Sequence, residues 1–170
     1  MPIHLNSLRM ASSRYQSTII TKSFSEAHRL RQQTAFLCHS HADEDLVKGL
    51  QVLLKENGWN LYIDWQDNKM PDKPSRETAQ RIQKKIRELE WFLFLATPNS
   101  TVSKWCPWEI GYADHEKNTD NILIIPTRDY SGNWYGNEYL QLYRQVTETD
   151  QGLAAFSAGK TTGGTLVKYL

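Results

Sequence analysis

Apolar residues along this chain fall into short continuous runs, separated by longer stretches with a helical period. Residues 34–38 (Thr-Ala-Phe-Leu-Cys), 59–63 (Trp-Asn-Leu-Tyr-Ile), 91–96 (Trp-Phe-Leu-Phe-Leu-Ala) and 121–126 (Asn-Ile-Leu-Ile-Ile-Pro) are four such runs. Unbroken apolar runs of this length read as strands buried on both faces. Between them, Leu46, Val47, Leu50, Leu53 and Leu54 recur at helical spacing over residues 43–57, and Gly58 suits the position just past a helix end. Ser75 can cap a second helix with core positions Ala79, Ile82, Ile86 and Leu89, and a third spans roughly 104–117. The spacing predicts a further helix over 138–146, a weaker fifth strand over 152–156 and a closing helical turn over 165–170. Strands alternating with helices give an α/β fold: a doubly wound, five-stranded parallel sheet of flavodoxin-like layout. Ligands of such sheets sit outside the carboxyl ends of the strands, here at loops 39–42, 64–74, 97–103, 127–136 and 157–164.

Composition changes this picture little. The 170 residues and net charge of +1 suit one domain with one core, and no global field argues for nucleic acid or membrane. Charge is uneven, however: residues 1–33 carry five Lys/Arg against one Asp/Glu. They read as a weakly ordered extension that closes with a short helix over 25–33, ahead of a domain at 34–170. A transit peptide would share this basic, Ser-rich character, but a simple extension is the reading adopted. No run reaches the roughly 18 apolar residues of a membrane span. Cys38 and Cys106 lack framework spacing and read as reduced, buried thiols of a cytoplasmic protein.

Chemistry concentrates at Trp105-Cys106-Pro107-Trp108-Glu109. A strand runs out through the polar bend 97–101, and a helix begins inside the motif with Pro107 in its first turn. Trp105 and Glu109 are four apart and share a helical face, with Trp108 alongside. Core packing for Trp105 and a solvated carboxylate for Glu109 are the plain alternative. His39 and His41, beside Cys38, raise the question of a metal. No third ligand stands at metal spacing, and His115 or Cys106 would join only through folding, so no metal is assigned and the histidines read as crevice lining. Residues 157–161 (Ser-Ala-Gly-Lys-Thr) imitate the end of a phosphate-binding loop, but Ala154 occupies the required first glycine. A phosphoacceptor receiver of the same topology needs an acidic pocket where His39-Ser40-His41 stands and an Asp where Ala96-Thr97 stands.

The same landmarks resemble a bacterial Toll/interleukin-1 receptor (TIR) domain. Residues 34–43, ending in His39-Ser40-His41-Ala42-Asp43, look like the family's first box. Residues 61–65 with Met70-Pro71 look like its second strand and BB loop, although Asp72 replaces the usual glycine. Residues 96–100 and Trp105-x-x-x-Glu109 match the third-strand loop and the WxxxE motif of catalytic members. The chain resembles in particular the small TIR proteins of antiphage defence, such as the Thoeris type, which make a nucleotide signal for a separate effector.

The resemblance implies an enzyme that consumes NAD+ as substrate, with no further cofactor. It cleaves the nicotinamide–ribose bond and cyclises the ADP-ribose. The pyridinium leaves neutral, so no general acid is required, in contrast to the two carboxylates of ordinary glycoside hydrolysis. One carboxylate, Glu109, suffices to hold the ribose and stabilise the developing oxocarbenium charge. Trp65, Trp105 and Trp108 are candidates to stack on nicotinamide or adenine, and Ser40, Thr97, Ser100 and His39 to contact ribose and phosphates. Asp64 is a candidate for the ribose or for shaping its loop. The family also implies homo-oligomers built through the loop 66–74, from Gln66 to Pro74, which complete a neighbour's site. The competing expectation is a non-catalytic TIR interaction module, which often lacks the carboxylate that Glu109 supplies; nucleoside transfer by a nucleophilic Glu is a third.

Overall fold

A computed structural model describes residues 1–15, 32–67 and 75–170. In chain order its elements are β1 (Ile3–His4), α1 (Leu5–Ser12), β2 (Gln33–Cys38), α2 (Glu44–Glu56), β3 (Trp59–Tyr62), α3 (Arg76–Glu88), β4 (Trp91–Ala96), the single turn α4 (Pro98–Thr101), α5 (Cys106–Glu116), β5 (Ile122–Arg128), β6 (Trp134–Tyr135), β7 (Arg144–Thr149), β8 (Gly152–Phe156) and β9 (Thr165–Leu166). The sheet runs β3-β2-β4-β5-β7-β8-β9, and its first five strands are parallel. Numbered among themselves, those five have the flavodoxin order 2-1-3-4-5, whose direction reverses between β2 and β4. Both faces are covered, as the continuous apolar runs require. Leu37, Leu93, Leu123 and Ile125 pack toward the side of α1 and α2, and Phe36, Phe92, Phe94 and Ile124 toward α3 and α5.

The helices follow their sequence signals. Ser75 caps α3 in a reciprocal box with Thr78. Ile82, Ile86 and Leu89 are buried while Ala79 is half-buried, and Thr78 fills the first core position instead. Asn57 ends α2, and Gly58 takes the left-handed conformation at φ 85°.

Three expectations for residues 138–170 change. The helix expected over 138–146 is a 3₁₀ turn, Glu138–Leu142, followed by the fifth parallel strand, β7. Leu140 and Tyr143 are both buried, which mimics one helical turn, but Tyr139 and Leu142 face outward and Val146 belongs to the strand alternation that follows. The stretch 152–156, expected as the fifth parallel strand, forms β8, the antiparallel partner of β7. The closing stretch is the short β9 and a 3₁₀ turn, Val167–Tyr169, whose Val167 carbonyl accepts from Trp59 Nε1 (2.9 Å).

Residues 1–15 are packed on the domain rather than weakly ordered, whereas the helix expected over 25–33 lies largely outside the described residues and Gln33 opens β2. Ile3 and His4 pair in parallel with Thr127 and Arg128 at the end of β5. Leu5, Leu8 and Ala11 form the buried stripe of α1 against α2. The helices cross at Gly49, where an added Cβ would lie 1.9 Å from the Leu8 carbonyl oxygen. Only glycine permits that approach.

Candidate functional site

The sheet order places its topological switch between β2 and β4, and the loops leaving those strands are tied together at once. Asp43, buried after β2, accepts from Thr97 Oγ1 (2.6 Å) and Asn99 Nδ2 (2.6 Å) beyond β4. Thr97 and Ser100 form a reciprocal cap on α4: Thr97 N–H donates to Ser100 Oγ (2.8 Å) and Ser100 N–H to Thr97 Oγ1 (3.0 Å). Both residues are buried, so their hydroxyls shape the wall of the crevice from within. Ser40 is half-buried and caps the 3₁₀ turn His41–Asp43.

Glu109 stands in the first turn of α5 and is only 6% exposed. Ser103 Oγ accepts from the N–H groups of Trp105 (3.2 Å) and Cys106 (3.3 Å), fixing the start of this helix. Burial pushes the Glu109 carboxyl from 4.5 up to about 8; the neighbouring Cys106 and Asp64 push the same way, and a hydrogen bond from the Cys38 thiol opposes them. Burial chiefly drives the Cys38 thiol itself well upward. Cys38 and Cys106 are buried and unbridged, with Cys38 Sγ 3.9 Å from the Cys106 carbonyl oxygen. A lone carboxyl in a low-dielectric pocket costs free energy to ionise, which is the condition under which a nearby positive charge is stabilised most.

The second group comes from the ends of β2 and β3. His39 Nδ1 donates to the Leu37 carbonyl (2.9 Å), since that oxygen can only accept, and its Nε2 stands 3.4 Å from Asp64 Oδ1. His41 Nε2 reaches Asp64 Oδ2 at 2.8 Å, and the Trp65 N–H reaches Asp64 Oδ1 at 2.8 Å. Burial alone would raise Asp64, but the His41 hydrogen bond, both histidines and the Trp65 N–H together hold it below the usual carboxylate value. Burial lowers His39, while the Asp64 hydrogen bond raises the exposed His41. Trp65 meets His39 edge to face at 4.5 Å.

Of the residues singled out in the sequence, His39, Asp64 and Trp65 are in direct contact, and Asp64 acts electrostatically on the Glu109 carboxyl. Trp105 is half-buried and meets Trp108 edge to face at 5.4 Å. Trp108 stacks on Tyr112 at 6.2 Å on the outer side of α5, exposed. Three contributors were not singled out: Asp43, Ser103 and Tyr139. Burial, then the Cys38 and Cys106 thiols, push the Tyr139 phenol upward, which marks it at the rim of the same site. Its arrival from the misread 138–146 stretch explains why no sequence signal flagged it. A separate cavity of about 710 Å³ lies beyond β5, lined by Arg128, Trp134 and Lys160 among others, and it contains none of the predicted site residues. Of the loop 66–74, residues 68–74 lie outside the described residues. Among the described residues, no helix is long and apolar enough to cross a membrane.

Comparison with known proteins bears on the same region. The family model of the TIR domain matches residues 35–155. Over 144 residues, 84% of this chain and 75% of the relative, the sequence is 29% identical to a Bacillus cereus (strain MSX-D12) protein named probable 3' cyclic ADP-D-ribose synthase ThsB'.

Proposed function

Given that the chain belongs to the TIR domain family, we propose that it is an NAD+-consuming enzyme of the Thoeris type. It cleaves the nicotinamide–ribose bond and cyclises the ADP-ribose into a signal nucleotide for a separate effector in antiphage defence, in the cytoplasm. The observation that carries this reading is Glu109, a buried carboxyl near the switch point of the sheet whose proton is held up to about 8, whereas the equally buried Asp43 is taken up by Thr97 and Asn99. The name of the Bacillus cereus relative supports the cyclase activity and makes the 3' cyclic isomer the product to look for.

The chemistry suits the site. The nicotinamide ring of NAD+ is cationic, so its approach favours the ionised form of a carboxyl whose proton is otherwise held up to about 8. As the C–N bond lengthens, positive charge moves from the ring to the ribose, and the Glu109 carboxylate stabilises it where solvent screening is weak. Nicotinamide leaves neutral, so no proton donor is needed. An adenine nitrogen, or a hydroxyl oxygen that gives up its proton to the Glu109 carboxylate or to solvent, then captures the ribose cation and closes the ring. Water must be excluded for cyclisation to outrun hydrolysis, and the loop 66–74 of a second copy is the element we assign to that role.

The test is incubation of the purified protein with NAD+ over a range of protein concentrations, with nicotinamide release and products followed by chromatography and mass. Turnover that rises more than proportionally with protein and disappears in Glu109→Gln is expected. Turnover that survives Glu109→Gln overturns the site assignment, and no turnover at any concentration, in infected-cell lysate included, overturns the enzyme reading.

A further inference from the structure

His39 has an unresolved partner problem. Its Nδ1–H is committed to the Leu37 carbonyl, so the neutral ring directs a lone pair from Nε2. That lone pair faces Asp64 Oδ1, another acceptor, 3.4 Å away. The His39 side chain is only 2% exposed, and Nε2 has no hydrogen-bond partner among the described residues. A buried acceptor and a half-buried one face each other across a gap that suits a cation.

We propose that His39 Nε2, His41 Nε2 and the Asp64 carboxylate form a binding site for a divalent transition-metal ion of the Zn²⁺ class. The three donor atoms lie within 4.8 Å of one another. Donors at about 2.0–2.1 Å from a tetrahedral ion stand roughly 3.3 Å apart, close to the 3.4 Å between His39 Nε2 and Asp64 Oδ1, whereas the 2.8 Å contact of His41 Nε2 with Asp64 Oδ2 is a hydrogen bond that His41 exchanges for the ion. His41 is 72% exposed and has room to adjust, whereas His39 and Asp64 are held. Both of the fixed ligands carry the outer support typical of metal sites. The Leu37 carbonyl fixes the His39 tautomer, and the Trp65 N–H (2.8 Å) orients Asp64. Two imidazoles and one carboxylate select ions such as Zn²⁺ or Co²⁺ over Mg²⁺ or Ca²⁺. Three protein ligands leave a fourth position, on the solvent side with His41, for water or an anionic oxygen. The rival occupant of the gap is a proton, which would make His39 an imidazolium paired with Asp64.

The experiment uses untagged full-length protein, stripped with chelator and titrated with Co²⁺ while the visible d–d band is followed, then with Zn²⁺ to displace it. One equivalent of each is expected to bind. Because His41 is exposed, His41→Ala leaves the fold intact and is expected to weaken binding at least about tenfold, with Asp64→Asn abolishing the band. In parallel, ¹⁵N spectra of His39 are expected to show protonation at Nδ1 alone and a Zn²⁺-dependent shift at Nε2. A ring protonated on both nitrogens and indifferent to Zn²⁺, or a Co²⁺ band unchanged in His41→Ala, overturns the proposal. None of these readings uses NAD+, so their outcome is separate from that of the activity assay.

Discussion

Replacing Glu109 by glutamine separates the cost of the buried carboxyl from its use. The wild-type group must ionise in a pocket that raises it from 4.5 to about 8. Protons are then bound by the folded chain and not by the unfolded one between those values, so folding stability falls as pH rises through this window and levels off above about 8. At roughly 1.4 kcal/mol per pH unit, the ceiling on that loss is about 5 kcal/mol. A neutral amide of the same shape escapes it. Glu109→Gln is therefore expected to match the wild type near pH 4.5 and to exceed it by about 1–4 kcal/mol at pH 8.5. Urea denaturation at half-unit pH intervals measures the difference directly, and the m-value checks that the unfolded state is unchanged. A difference that is constant with pH, or a variant less stable at pH 8.5, would refute the reasoning, because either means that Glu109 is already ionised in the folded protein against a favourable partner.

Further outcomes follow from the same geometry. If the carboxylate is the working form, kcat/KM for NAD+ rises about tenfold per pH unit below pH 8 and flattens above it, and a flat profile from pH 6 to 8 rejects that role. Asp43→Asn loses one charged acceptor shared by Thr97 and Asn99 and is expected to cost about 1–3 kcal/mol by chemical denaturation. Gly49→Ala gains helix propensity in α2 but drives a methyl into the Leu8 carbonyl; a net loss of about 1–3 kcal/mol and faster proteolysis near Arg14 are expected, and a stabilised variant would contradict the crossing geometry.

The fold was legible wherever one signal dominated. The runs at 34–38, 91–96 and 121–126 became central strands because an uninterrupted apolar stretch of that length has no stable place except between two helical layers. The N-terminal strand was illegible for the opposite reason. Ile3 and His4 are two residues, too few for any period, and only their tertiary partner, Thr127–Arg128, makes them a strand. Residues 138–146 misled because Leu140 and Tyr143 repeat a helical spacing once, while the register of β7 is set by its neighbours. At the site, Glu109 was visible from its motif, and Asp64 from its place after a strand. The connection of Asp64 to both histidines was not visible, since a contact between residues 39 and 64 is made by strand order. The hydroxyls of Thr97 and Ser100 looked available for a ligand because a capping box within a four-residue helix leaves little trace in an apolar pattern.

The N-terminal arm also sets an order of events for folding. Helix α1 meets α2 across fewer than fifty residues, so that pair can assemble once the first third of the chain is present. Strand β1 cannot take its place until β5 exists, because Ile3 pairs with Thr127. One continuous ten-residue piece, from Ile3 to Ser12, thus belongs to two folding steps separated by most of the chain. Its helix can shelter the apolar face of α2 early, and its strand can join the sheet only once β5 is in place.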